Sequence, residues 1–176
     1  MATSSPTRRL GTAAAWTLAA RAQQRALPVV GWLGSGSPDA NADRMRAFHQ
    51  SLSESGFVEG RNVTIEYRWA NDQYDRLPAL AADLVHRQVA VILANSGPSA
   101  RAAKAATTTI PIVFTVAFDP VEVGLVASLN RPGGNLTGAT SLGVELGPKR
   151  LEVMRELIPA AKIVAVFLNP DNFVMP

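Results

Sequence analysis

The sequence contains no cysteine. A disulfide framework, a thiolate metal site and a cysteine nucleophile are therefore excluded. Histidine is scarce. His49 and His86 stand far apart with no metal-ligand spacing, so no metal centre is expected. Both fall on the polar sides of the helices read below and are expected to be solvated. Nucleotide motifs are missing too. Gly31-Trp32-Leu33-Gly34-Ser35-Gly36 lacks the spacing of a dinucleotide fingerprint. There is no phosphate-loop lysine and no G-x-S-x-G elbow. No catalytic constellation emerges. The chain is read as a non-enzyme that needs no cofactor.

Charge of one sign is also missing once the leader is set aside. The chain carries 17 Lys and Arg against 14 Asp and Glu, a net charge of +3. Arg8, Arg9 and Arg21 lie in the first 22 residues, which hold no acid. The remainder is balanced, with no basic stripe to track phosphates, so a nucleic-acid partner is not expected.

Residues 1–22 have the organisation of a secretory signal. Arg8 and Arg9 form a charged start, and Leu10–Ala20 an apolar stretch. Ala20-Arg21-Ala22 is a small-x-small cleavage site that leaves Gln23 as the new N-terminus. A spanning helix needs about 20 apolar residues, so the leader is too short for stable membrane insertion. The arginine pair leaves the general and twin-arginine export routes both open. With no cysteine after the cleavage site, a lipid anchor there is excluded. The expectation is a free periplasmic protein.

Beyond the leader, strand and helix patterns alternate. Leu27–Leu33 is a short apolar run closed by Gly-Ser-Gly-Ser. Ala40–Ser55 places Met45, Phe48 and Leu52 on one helical face. Asn62–Trp69 alternates as a strand does. Tyr74–Arg87 carries a stripe of Leu77, Leu80, Ala81, Leu84 and Val85. Val89–Ala94 is continuously apolar, as a buried parallel strand should be. Ser99–Thr107 is an Ala-rich helix and Ile110–Val116 a strand. Val121–Leu129 is read as a helix, Leu136–Leu142 as a strand, Pro148–Ile158 as a helix and Ile163–Leu168 as a strand. The alternation predicts an α/β fold: a Rossmann-like parallel sheet with helices on both faces. The core is expected to include Val30, Phe48, Leu52, Ile65, Leu80, Leu84, Val91, Ile92, Ile112, Phe114 and Leu125. The segment after Leu168 leads to no further element, and the chain reads as truncated.

Three strand-to-helix junctions share one chemistry: Ser35-Gly36-Ser37-Pro38, Asn95-Ser96-Gly97-Pro98-Ser99 and Phe118-Asp119-Pro120. Each sets a capping residue before a proline suited to the first helical turn. They lie at the carboxyl ends of parallel strands, where open α/β sheets bind ligands. Free N–H groups there favour an anionic group such as a carboxylate. Ser35, Ser96, Ser99 and Asn95 add neutral polar groups, and Phe118 an apolar wall. The same residues start helices where nothing binds, and the Asp119–Glu122 spacing is that of a capping box.

Several stretches resemble the bacterial ABC transporter substrate-binding proteins related to the tryptophan-binding type. They are Gly56–Ala70 (GFVEGRNVTIEYRWA), Tyr74–Val85 (YDRLPALAADLV), Thr109–Phe114 (TIPIVF) and Asn130–Gly138 (NRPGGNLTG). The leader end Leu18–Gln24 (LAARAQQ) is similar too. The resemblance implies a type I periplasmic-binding fold, in which two Rossmann-like lobes close on a small ligand and deliver it to a membrane permease. It implies a first lobe over 27–142 and, over 143–176, the start of a second lobe with Asn169-Pro170 facing the cleft. Carried onto this chain, the ligand positions are Ser35, Asn95, Ser96, Ser99, Phe118 and Asp119. The implied partners are a small, carboxylate-bearing or amino-acid-like molecule and the importer's permease and ATPase subunits, with the permease contacted directly. The chain departs from the resemblance in length, since most of a second lobe is missing. A cytoplasmic ligand-sensing domain, an α/β enzyme lobe and a non-functional fragment are the competing readings. The leader weighs against the first, and the missing catalytic motifs against the second.

Overall fold

The computed structural model describes residues 27–141 and 143–166. The leader and its cleavage site, Leu142, and the segment 167–176 with Asn169-Pro170 lie outside the described residues.

Five strands form one all-parallel sheet: β1 (Val29–Gly34), β2 (Thr64–Trp69), β3 (Val91–Ala94), β4 (Ile112–Val116) and β5 (Leu136–Thr140). Their order is β2-β1-β3-β4-β5. Four helices accompany them: α1 (Ala42–Glu54), α2 (Leu77–His86), α3 (Gly97–Ala106) and α4 (Gly147–Leu157). The α/β class and parallel sheet follow the sequence pattern.

The sheet sorts its side chains by parity, because successive strand residues point to opposite faces. Leu33, Ile92, Ala94, Ile112, Phe114 and Val116 point to one face and are buried. Helices α2 and α3 close that face. On α2, Leu77, Ala81 and Leu84 recur at helical spacing and are all buried. On α3, Ala100 and Ala103 are fully buried. These small residues let the helix lie close to β3 and β4.

The opposite face is covered by α1, and less completely. No residue of α1 is buried. Aromatic contacts help to hold the helix instead. The Phe48 ring lies 5.2 Å from that of Trp32 on β1. His49 Nε2 lies 2.8 Å from the Tyr67 hydroxyl on β2. This explains a departure from the expected core: Val30, Phe48, Leu52 and Val91 are only half-buried, as is Leu80 on α2. It also corrects the expectation of a solvated His49, which is tied to Tyr67.

At the edge strand β2, Arg68 reaches Asp83 of α2 at 2.6 Å and Glu66 at 2.8 Å. Arg87 reaches the same two carboxylates at 3.1 and 3.2 Å. The charged lattice guards an edge that would otherwise offer itself for pairing.

One expected element does not form, and a second is not a strand over its described part. Val121–Leu129 is a series of turns rather than a helix. Gly124 adopts φ +68°, a left-handed conformation that ends any helix there. Val121 and Val123, both β-branched, add little helical preference. Lys104 on α3 donates to the carbonyls of Gly124 and Leu125 at 2.6 and 3.1 Å, fixing the turn from outside. Residues 163–166 of the expected last strand are not in a strand, and Ile163 is 89% exposed. A β-prone run makes a strand only beside a partner edge, and among the described residues no strand pairs with this one.

Candidate ligand site

The strand order reverses between β1 and β3: the chain leaves β1 for β2 on one side, then crosses to β3 on the other. At such a switch point the connections diverge and leave a crevice outside the strand ends. Here the crevice is a cavity of about 800 Å³, walled by α1 and by the tips of β1, β3 and β4. That volume falls within the range of small-molecule sites.

Of the six positions singled out from sequence, four line this cavity: Ser35, Asn95, Ser96 and Phe118. Ser96 is the N-cap of α3, extended at φ −159°, and its Oγ accepts from the Ser99 backbone N–H at 3.3 Å. Phe118 is buried, and its carbonyl accepts from the Thr140 hydroxyl at 2.6 Å, which ties this loop to β5. The other two stand behind the wall. Ser99 is fully buried, with its hydroxyl 2.8 Å from that of Ser96. Asp119 Oδ1 accepts from the Val121 and Glu122 N–H groups at 2.7 and 3.4 Å, so its carboxylate caps the turn that replaces the expected helix.

The remaining wall was not singled out from sequence. Trp32, Phe48 and Tyr74 give aromatic surface, and Leu93, Val113 and Thr115 form a floor from the α1 side of the sheet. Alternation along the strands would have placed the floor residues on one face, but not under a cavity. Gly34 lies against Trp32, one of these walls. A Cβ there would collide with the Trp69 indole, which lies across the glycine. Trp69 in turn stacks with Tyr67, interplanar angle 3°, and contacts Trp32 at 5.9 Å. Beneath α1 this aromatic group buries the Tyr67 phenol. Burial, and then the Glu59 carboxylate, push its pKa up to about 12.

The electrostatics are one-sided. Among the described residues lining the cavity, Arg44 is the one that is charged, and no acid joins it. Its Nη1 donates to Asn41 Oδ1 at 3.1 Å. Asn41 is a buried polar residue whose Nδ2 donates to the Ser37 carbonyl at 2.9 Å. Asn95 Nδ2 donates to the same Asn41 oxygen at 3.0 Å. Two buried polar atoms nearby have no partner, Trp32 Nε1 and Asn95 Oδ1. Among the described residues no group of acids and histidines could hold a metal ion.

Residues 37–174 match the family described as ABC transporter substrate binding protein. A tyrosine-binding protein of Clostridioides difficile (strain R20291) is 38% identical over 128 residues, covering 72% of this chain and 36% of that protein. The crystal structure of a conserved domain protein from Vibrio cholerae superposes with a TM-score of 0.74 at 31% identity, over 84% of this chain and 49% of that one. An ABC domain from Streptococcus pneumonia in complex with L-Trp shares the fold, with a TM-score of 0.60 at 22% identity over 65% of this chain and 39% of that one. The chain thus spans half or less of the length of these relatives. A match over most of its residues, a relative of more than one-third identity and a cavity at the sheet's switch point converge: this chain belongs to the ABC transporter substrate-binding protein family.

Proposed function

We propose that this chain is the ligand-capturing part of an extracytoplasmic solute-binding protein, which takes up a small, carboxylate-bearing, amino-acid-like molecule for an ABC importer. The observation that carries this is the cavity at the strand-order reversal, with aromatic walls and, among the described lining residues, one charged side chain, the Arg44 guanidinium. Aromatic and aliphatic surface takes an apolar side chain, and polar strand ends take its head group. The amino-acid ligands in the names of two relatives support the same class.

In this reading Ser35, Asn95, Ser96 and Phe118 touch the ligand, while Ser99 and Asp119 hold the loops that present them. Residues 27–142 form one lobe and 143–176 begin a second that closes from the other side. Lobe closure is what the importer's permease recognises, and the ATPase subunits act behind it. Among the described residues no helix is long and apolar enough to cross a membrane. Export, with cleavage after Ala22, takes the protein to the periplasm.

Two experiments test the reading. Mass spectrometry of periplasmic protein should find a chain that starts at Gln23, whereas a full-length chain kept in the cytoplasm would refute export. Titration with a panel of amino acids and simple carboxylates should show binding by residues 1–176 at about the millimolar level or weaker, because the first lobe supplies one wall of the cleft and roughly half of a micromolar interaction's free energy, and tighter binding by a chain that includes the whole second lobe. Ser96→Ala should weaken it further. Micromolar binding by residues 1–176 would show that the first lobe is sufficient, and failure of the two-lobed chain to bind any of the panel would overturn the functional reading.

A further inference from the structure

We infer that Arg44 is the carboxylate anchor of the cavity and that Asn41 is the positioning residue that aims it; this rests on the ligand-binding reading above. Neither residue belongs to the strand-end junctions. Arg44 sits in the first turns of α1, on the wall opposite β3. A guanidinium has five donors in a planar fork. One nitrogen, Nη1, is engaged by Asn41 Oδ1. That leaves the other edge of the fork available for a two-point pairing with a carboxylate.

The aim of that fork is set by a hydrogen-bond chain with no freedom of direction. The Ser37 carbonyl can only accept, so Asn41 must present its Nδ2 to it. Asn41 Oδ1 then faces the other way and accepts from both Arg44 and Asn95. Asn41 therefore couples the cation on α1 to the tip of β3, across a helix that buries no residue of its own. Without Asn41 the arginine would keep its charge and lose its bearing. Among the described residues that line the cavity there is no acid to cancel the charge. The cavity is thus built to separate a free carboxylate from its neutral amide.

The test is the affinity ratio between an amino acid and its amide, measured by NMR titration into the millimolar range. L-Tryptophan against L-tryptophanamide and L-phenylalanine against L-phenylalaninamide are suitable pairs. A charge-assisted pairing predicts that wild type prefers the acid by roughly tenfold to a hundredfold. Arg44→Ala should bring the ratio close to one, and Arg44→Lys should restore part of it. Asn41→Ala should reduce the ratio although Arg44 is still present. Arg46→Ala removes an equal charge from the same helix, at an exposed side chain paired with Asp43, and should leave the ratio unchanged. A ratio that survives Arg44→Ala, or that falls as far with Arg46→Ala, overturns the assignment while the ligand-binding reading stands. Failure of every acid and every amide to bind either wild type or a chain that includes the whole second lobe overturns both.

Discussion

The Tyr67 hydroxyl lies 2.8 Å from Nε2 of His49, which joins the edge strand β2 to helix α1 across the mouth of an aromatic cluster. The His49 ring has a second neighbour, Glu59 Oε2, at 3.7 Å from Nδ1. The phenol is thus held in a low-polarity setting with a carboxylate behind the imidazole. Both features favour its neutral form, and burial is the larger.

A pH titration should reveal this. The folded-state pKa is about 12, against an ordinary value of 10.0. Above pH 10 the unfolded chain loses a proton that the folded chain keeps. Stability tied to Tyr67 is therefore fully present below that pH and is lost as pH rises toward 12. Tyr67→Phe should remove from the near-ultraviolet titration a phenolate transition with a midpoint near 12. Removal of a transition at the ordinary phenol value would show that the cluster does not shield Tyr67.

The edge lattice should show the opposite sign. The Arg68 hydrogen bond, then the Arg68 charge and the Arg87 contacts, hold the Asp83 carboxyl below its usual range. A depressed carboxyl stabilises the fold above its unfolded pKa, and that contribution is lost as pH falls through the folded value. Melting temperatures of wild type and Asp83→Asn should therefore converge as pH drops into the acid range. A gap that stays constant with pH would assign the effect to packing.

Leu84 is fully buried on α2 against the sheet, with its methyls directly over Gly31. Leu84→Ala should cost about 2–5 kcal/mol in denaturant unfolding. A loss within measurement error would mean that the α2 face is not the core.

Gly34→Ala places a methyl where the Trp69 indole lies. The ring must move, and overpacking of this kind costs about 1–3 kcal/mol. Near-ultraviolet circular dichroism should change with it, since Trp69, Trp32 and Tyr67 are in mutual contact. An unaltered spectrum with unaltered stability would place Trp69 elsewhere.

Most of the sheet was legible in the sequence because a parallel strand with helices over both faces reads as an uninterrupted apolar run, as Val91–Ala94 does, although only Ile92 and Ala94 of it are fully buried. The helices of the closed face were legible from spacing, as Leu77, Ala81 and Leu84 show. The turn at 121–129 was misread because its apolar residues imitate helical spacing, while Gly124 decides the backbone. The cavity was half legible. Ser35, Asn95 and Ser96 are marked by strand-end chemistry, but Asn41 and Asn95 are 54 positions apart and meet only through the crossover. Nothing local in Asn41 or Arg44 announces that meeting.

The division of the sheet by parity has an evolutionary consequence. Ile92, Ile112 and Phe114 are locked between the strands and α2 and α3, so exchange there taxes folding. Their immediate neighbours Leu93, Val113 and Thr115 form the cavity floor and are packed by little else. Adjacent codons thus answer to different pressures. Single steps at the odd-numbered positions can reshape the cavity floor, with the even-numbered ones acting as an inherited chassis. Paralogues that differ in their cavity floors, while sharing one thermal tolerance, are the pattern such a sheet would leave behind.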